Sequence, residues 1–99
     1  MYVVISHFEV ANDKADLVRE AFRNRPHLVE KAAGFVRMDV VSPLDNPAAF
    51  DLITCWQSKD SFETWHRSHA YRDAHQGIPG GLKLVAGSTS IRAYEHITS

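Results

Sequence analysis

The sequence predicts a single α+β domain of ferredoxin-like topology, an antiparallel sheet with its helices on one face. Three observations carry this. Four segments are rich in β-branched and aromatic residues, which favours strands. Between them lie segments whose apolar residues recur at helical spacing. The order is strand, helix, strand, strand, helices, strand, the split β-α-β arrangement. A chain of 99 residues with 44% hydrophobic residues suits one small globular domain covering the whole length, 1–99.

The elements follow in order. Tyr2 to Val10 reads as the first strand. Asn12 or Asp13 is placed to cap the next helix by accepting from its free N–H groups. In that helix Ala15, Val18, Ala21 and Phe22 repeat at helical spacing, among Asp16, Arg19, Glu20 and Arg23. Pro26 disfavours helix at Arg25, so the helix ends or kinks there. His27 to Ala33 offers a further turn closed by Gly34. Phe35 to Val41 and Phe50 to Trp56 read as a hairpin across the turn-forming run Ser42-Pro43-Leu44-Asp45-Asn46-Pro47. Ser58 caps a second helix from Lys59 to about Arg67, and Ser68 a third from His69 to about Gln76. Gly77 to Gly87 holds four of the five glycines and Pro79, and reads as a loop. Ser90 to Ile97 is the last strand.

Both faces of these strands carry apolar residues. Val4, Phe8 and Val10 share one face of the first strand, and Val3 and Ile5 the other. In the third, Phe50, Leu52 and Trp56 oppose Ile53 and Cys55. Helices cover only one face, and monomers rarely expose large apolar patches. A homodimer packed sheet on sheet is therefore expected.

Charge and composition exclude several classes. The formal net charge is −1, so no long-range field favours nucleic acid or an anionic membrane. The single cysteine, Cys55, cannot form an intrachain disulfide and reads as a buried structural thiol. The first residues lack the basic start and apolar core of a signal peptide. No run approaches the ~18 apolar residues of a membrane span. A cytoplasmic location is the default expectation.

The residues with chemical potential are few. Trp65 stands ten positions before His75 on short helical pieces, with Gly77, Gly80 and Gly81 following. A neutral imidazole is a good axial ligand for haem iron. A helix end beside a glycine-rich loop can leave one side of it open to a flat ligand. The plain alternative is a surface histidine and a core tryptophan. His66, His69 and His75 lack the cysteine or carboxylate that a zinc pattern needs. Arg19, Arg23 and Arg25 make the first helix basic at its C-terminal end. They either form a solvated face that complements the helix dipole or clamp a ligand carboxylate. Ser6 falls on the face of Val4 and Phe8, and His7 on the other. A hydroxyl in a core strand needs a partner, either a neighbouring backbone group or a ligand. There is no nucleophile elbow, phosphate loop, dinucleotide fingerprint or paired-carboxylate motif.

The chain resembles the antibiotic biosynthesis monooxygenase (ABM) superfamily of dimeric α+β barrels. Within it, the chain is most similar to the bacterial haem-degrading monooxygenases. The resemblance covers nearly the whole length. It is carried by Glu20-Ala21-Phe22-Arg23-Asn24-Arg25, Gly34-Phe35, the run from Trp56 through Ser58 and Phe62 to Trp65, and Ala74-His75. The Gly-Phe and Trp-x-Ser-x-x-x-Phe pieces occur throughout the superfamily, while the Trp65 to His75 spacing is more selective. In the haem-degrading branch the matching histidine ligates the iron, and the matching tryptophan lies against the porphyrin and helps to ruffle it. That branch also carries a strand-one asparagine on the distal side of haem. Counting back from Phe22 places Ser6 there, a departure from the pattern.

The resemblance implies oxidative haem degradation in a cleft between helices and sheet, one haem per subunit. His75 would hold the iron. Phe22 and Trp65 would contact the macrocycle, and Arg23 or Arg25 would meet a propionate. Ser6, Trp65 and His75 would be the catalytic set. Haem would be both cofactor and substrate, with dioxygen and an electron donor, such as a reductase, also required. Two alternatives remain. One is a haem-independent ABM-type monooxygenase of a small aromatic or quinol-like substrate, lined by Trp65, Phe22 and His75. The other is a non-catalytic dimer that binds haem or another ligand.

Overall fold

The computed structural model describes residues 1–68, 71 and 81–99. Four strands, β1 (Tyr2–Glu9), β2 (Phe35–Val41), β3 (Ala49–Trp56) and β4 (Ser90–Glu95), form one antiparallel sheet in the order β2-β3-β1-β4. Two α-helices among the described residues, α1 (Ala15–Arg23) and α2 (Lys59–His66), follow β1 and β3. This is the expected α+β ferredoxin-like arrangement. No helix among the described residues is long and apolar enough to cross a membrane.

Strand alternation decides which side chains meet the helices. Val4 packs with Val29, Trp56 and Trp65, while Phe8 packs against Val10, Val18 and Phe50. The even-numbered residues of β1 and β3 therefore face the helices. Val3, Ile5, Ile53 and Cys55 face away. Cys55 is only partly buried there, not sealed in the core as its sequence context suggested. Among the described residues no helix covers the sheet's second face, where this thiol lies.

Several boundaries shift by a residue or two. β1 ends at Glu9, and Val10 instead makes an isolated bridge with Leu84. β3 begins at Ala49, and β4 ends at Glu95. The expected turn after Pro26 is a short 3₁₀ segment, Val29–Lys31. Neither Asn12 nor Asp13 caps α1. Lys14 is its N-cap, with no side-chain cap bond, and the Asn12 amide donates to the Gly81 carbonyl at 3.0 Å. That side chain anchors the far loop instead of the helix.

α2 starts as expected. Ser58 Oγ accepts from the Ser61 amide at 3.2 Å, a cap worth about 1 kcal/mol. Gly34 makes its close approach possible. It has φ +79°, and a Cβ there would come within 2.6 Å of Ser61 Cβ. The Gly34 carbonyl accepts from the Gln57 amide at 2.8 Å, which ties the start of β2 to the end of β3. Trp56 fills the core beneath, at 0% exposure. Its ring meets Phe35 and Phe62 edge-on, and its Nε1 donates to Thr54 Oγ1 at 3.0 Å. A buried indole N–H thus has its partner.

Beyond α2, Ser68 Oγ donates to the Trp65 carbonyl at 2.6 Å and accepts from the Tyr71 amide at 3.1 Å. This is the bonding expected of a cap for a third helix. The rest of that expected helix lies outside the described residues.

Candidate functional site

The helix-side core is in two parts. One cluster gathers Val4, Val29, Trp56 and Trp65 under α2. The other gathers Val10, Val18 and Phe50, with Phe8 and Phe22, under α1. Between them runs one row across the sheet. Val40 of β2 lies opposite Leu52 of β3, Leu52 opposite Ser6 of β1, and Ser6 opposite Ile91 of β4. All four point to the helix side, yet Ile91 is 58% exposed. Ile91 shares this exposure with every residue of β4, the edge strand of the sheet.

Ser6 sits in this row, partly buried. Its backbone is committed to the sheet, and its hydroxyl makes no hydrogen bond among the described residues. The backbone partner considered from sequence is therefore absent among them. The hydroxyl is left for water or for a ligand.

Phe22, Arg23 and Arg25 come together at the α1 end of the row. They line a cleft of about 350 Å³ with Met38 and Val40, over the helix-side floor of β2. Phe22 also packs against Phe8 and Phe50, with ring centroids 6.3 and 5.8 Å apart, so it serves core and cleft together. The aromatic and aliphatic floor beside cations suits a flat apolar ligand with an anionic edge.

Each arginine already has an acidic neighbour. Arg23 Nη1 lies 2.6 Å from Glu20 Oε1. Arg25 grips Glu30 with two prongs, at 2.9 and 3.0 Å. His27 Nδ1 also lies 2.6 Å from Glu30 Oε2, from a backbone held at φ +55°. The Arg25 guanidinium holds the Glu30 carboxyl below its usual range, against partial desolvation, with His27 assisting. Arg19 does something sequence reasoning missed. It donates to the Pro47 carbonyl at 3.0 Å and lies over the Phe50 ring at 5.3 Å, strapping α1 to the β2–β3 turn. A guanidinium has five N–H donors, so the two prongs on Glu30 leave Arg25 others to offer.

Trp65 belongs to the other core cluster, with Val4, Val29 and Trp56. It is 9% exposed and is T-shaped against Tyr71, with centroids 6.0 Å apart. Burial pushes the Tyr71 phenol up from its ordinary range. Trp65 lines a second cleft of about 390 Å³ with Leu28, Ala32 and Thr64. Ser6 is in the wall of neither of these two clefts. His66 stacks on Phe62 and abuts Tyr71, which gives it a packing role. His75, with His69, Gly77 and Gly80, lies outside the described residues. Of the residues expected in the site, Phe22, Arg23 and Arg25 share one cleft, Trp65 lines another, and Ser6 lies in the sheet row between the two core clusters.

His7 was expected only to point away from Ser6, and it does. Its Nδ1 lies 2.7 Å from Asp51 Oδ1 on the sheet face without helices. Alternation of residues signals the face, but only the strand register reveals the partner.

Comparison with known proteins agrees with this architecture. The family model described as antibiotic biosynthesis monooxygenase matches residues 1–77. A haem-degrading monooxygenase of Halalkalibacterium halodurans is 32% identical over 78 residues, 76% of this chain and 66% of that protein. The aligned region spans just under two thirds of that relative's length. Among solved structures, a MhuD variant with two manganese protoporphyrin IX molecules bound per active site superposes with a TM-score of 0.81 at 21% identity. That match covers 100% of this chain and 97% of the other. SnoaB, a cofactor-independent oxygenase from Streptomyces nogalater, superposes with a TM-score of 0.77 at 13% identity, covering 99% and 94%. At these identities the two structures establish a shared fold, and they come from proteins with and without a porphyrin.

Proposed function

The chain belongs to the antibiotic biosynthesis monooxygenase family, and from that premise we propose that it binds haem between its helices and sheet and degrades it oxidatively. The observation that carries this reading is the break in the core. Two apolar clusters flank a row whose one polar side chain, Ser6, has no hydrogen-bond partner among the described residues. The residues present fit the ligand. Phe22, Met38 and Val40 offer an apolar wall, and Arg23 and Arg25 stand at the same cleft to meet a carboxylate.

Haem is the substrate here, and when bound it also supplies the redox-active iron; dioxygen and an electron donor complete the reactants. The rest of the work falls to this chain's residues. His75 would hold the iron through its imidazole. Trp65 and Phe22 would contact the macrocycle, where distortion of the ring is one of the levers a protein has on haem chemistry. Arg23 or Arg25 receives a propionate. The Ser6 hydroxyl is the hydrogen-bond donor offered to the oxygen reactant. A homodimer formed through the helix-free sheet face completes the assembly.

Two observations favour a second reading, haem-independent oxygenation of a small aromatic or quinol-like substrate. Ser6 replaces the asparagine that the haem-degrading pattern leads one to expect. Arg23 and Arg25 also already hold carboxylates, which makes the cleft hospitable to an uncharged ring. One experiment separates the readings. Haemin is titrated into purified protein, and a saturable Soret band is sought. Reductant is then added in air and the band's decay is followed. A saturable band that decays supports haem degradation. A stable band supports a binding protein. Absence of any saturable band shifts the reading to the aromatic substrate, tested by quinol turnover in air.

A further inference from the structure

We propose that association of two copies of this chain is proton-linked through His7 and Asp51: a second copy covers the sheet face that carries the pair, and the dimer takes up a proton at His7 in each copy as it forms. This rests on the homodimer reading and adds the group that controls it.

The pair lies on the face turned away from both helices. His7 and Asp51 are register partners on β1 and β3, 2.7 Å apart, with side chains 35% and 27% exposed. Beside them Val3, Ile5, Ile53 and Cys55 form an apolar middle, and Tyr94 is 39% exposed. Covering this face would take the pair out of water.

Among the described residues the charges on the face are few and can be named. Arg37 and Asp39 on β2 pair with each other at 2.6 Å. On β4, Ser90 lies opposite His7, and Arg92 stands over the Tyr94 ring at 5.4 Å. On β1, Glu9 accepts from Asn46 at 2.7 Å. With His7 neutral, Glu9, Asp39 and Asp51 outnumber Arg37 and Arg92, and the described residues of the face carry one excess negative charge. Protonated His7 cancels it. Two identical faces brought together repel if each carries the excess. They also bury a carboxylate without a full counter-charge, which is costly. Protonation removes both penalties. Arg92 opposes it, but Asp51 in direct contact outweighs a cation held farther out on an exposed strand.

A second copy is the occupant this surface fits. A two-fold interface must be self-complementary. Acidic Asp51 and Glu9 and basic Arg92 flank one apolar centre, so the face offers both signs to its own copy. A face of one sign could not.

The sign of the linkage follows. Burying the Asp51 carboxylate beside a neutral imidazole costs more than burying it beside a protonated one, and this difference outweighs the imidazole's own desolvation, so the protonated form is more favourable in the dimer than in the monomer. The stabilisation is therefore full below the monomer's histidine range and is lost as pH rises through the dimer's.

Sedimentation equilibrium on the full chain between about pH 6 and about pH 8.5 tests this. If each of two histidines is raised by one unit, the dimer Kd weakens about 100-fold across the rise. His7→Gln flattens the profile, as does Asp51→Asn. An NMR titration of His7 in the unmodified chain, dilute and concentrated, checks the same linkage without a variant; its midpoint rises with concentration. A dimer whose Kd ignores pH overturns the linkage and leaves the dimer standing. An unchanged slope in His7→Gln overturns it as well. A monomer at every pH overturns the linkage together with the homodimer reading.

Discussion

Arg25 grips Glu30 with two parallel hydrogen bonds, Nη1 to Oε1 at 2.9 Å and Nη2 to Oε2 at 3.0 Å, at the rim of the cleft that Phe22 lines. The four residues between them include Pro26 and the left-handed His27, so the pair staples the exit from α1. Two prongs fix the guanidinium plane, which a single contact would not do.

The first prediction concerns acid. Arg25 is the largest cause of the lowered Glu30 pKa. A carboxyl depressed in the folded state contributes stability above its unfolded pKa. That contribution is lost as pH falls through the lower folded value. Glu30→Gln therefore costs stability at neutral pH, up to about 1 kcal/mol for a partly solvated pair. The difference from wild type should close under acid. Urea melts of both proteins at about pH 7 and about pH 3 check this. A gap of constant size would show that the carboxylate charge is not its source.

Gly34 yields the second prediction. Its φ of +79° and its approach to Ser61 both exclude a Cβ. Gly34→Ala should cost about 1–3 kcal/mol from backbone strain and overlap. Adding Ser61→Gly relieves the overlap and leaves the strain, so it should restore part of the loss. Thermal denaturation of the single and double variants separates the two causes.

Local chemistry was readable before the structure, and distant partnership was not. Ser58 three residues before Ser61 is a cap wherever it sits, because its partner is the adjacent turn. The alternation of Val3 and Ile5 against Val4 and Phe8 likewise marks two faces without reference to any other strand. Asn12 looked like a cap for the same reason, but its amide goes to Gly81, 69 residues away. His7 meets Asp51 across 44 residues, through a strand register that composition does not encode. Ser6, Phe22, Arg23, Arg25 and Trp65 were picked out by family pattern and by type. That Phe22 and the two arginines share one cleft, while Trp65 stands across a break in the core, depends on how α1 and α2 land on the sheet.

Trp65 provides the third prediction. Its ring belongs to the core with Val4, Val29 and Trp56, so truncation to alanine would cost about 3–5 kcal/mol and obscure any role in function. Trp65→Phe keeps an apolar ring and loses bulk. In the proposed function the variant melts close to wild type and degrades haem more slowly. Severe destabilisation with normal turnover per folded molecule would return Trp65 to a purely packing role.

The fourth prediction tests the iron ligand. His75→Ala should abolish the axial-ligand spectrum of the haemin complex and leave the circular dichroism of the protein unchanged. In the proposed function the substitution removes the imidazole that would hold the iron. An unchanged spectrum would remove His75 from the role, and His66 and His69 would be tested in its place.

Ser6 distinguishes degrading haem from merely holding it. It lies in the row between the two core clusters, opposite Leu52 and Ile91, with its hydroxyl unbonded among the described residues. A hydrogen bond to a charged group is worth ~1.5–3 kcal/mol. If all of that arises only in the transition state, its loss slows turnover by about ten- to a hundredfold. Serine can donate this bond but reaches less far than asparagine. The wild-type protein should therefore degrade haem slowly, Ser6→Asn faster, and Ser6→Ala more slowly still, with haemin affinity little changed in all three. Single-turnover decay of the Soret band, started by reductant in air, ranks them directly. If wild type and Ser6→Asn both hold haem without any decay, the row offers no productive donor, and the chain is a haem-binding protein with the fold of an oxygenase.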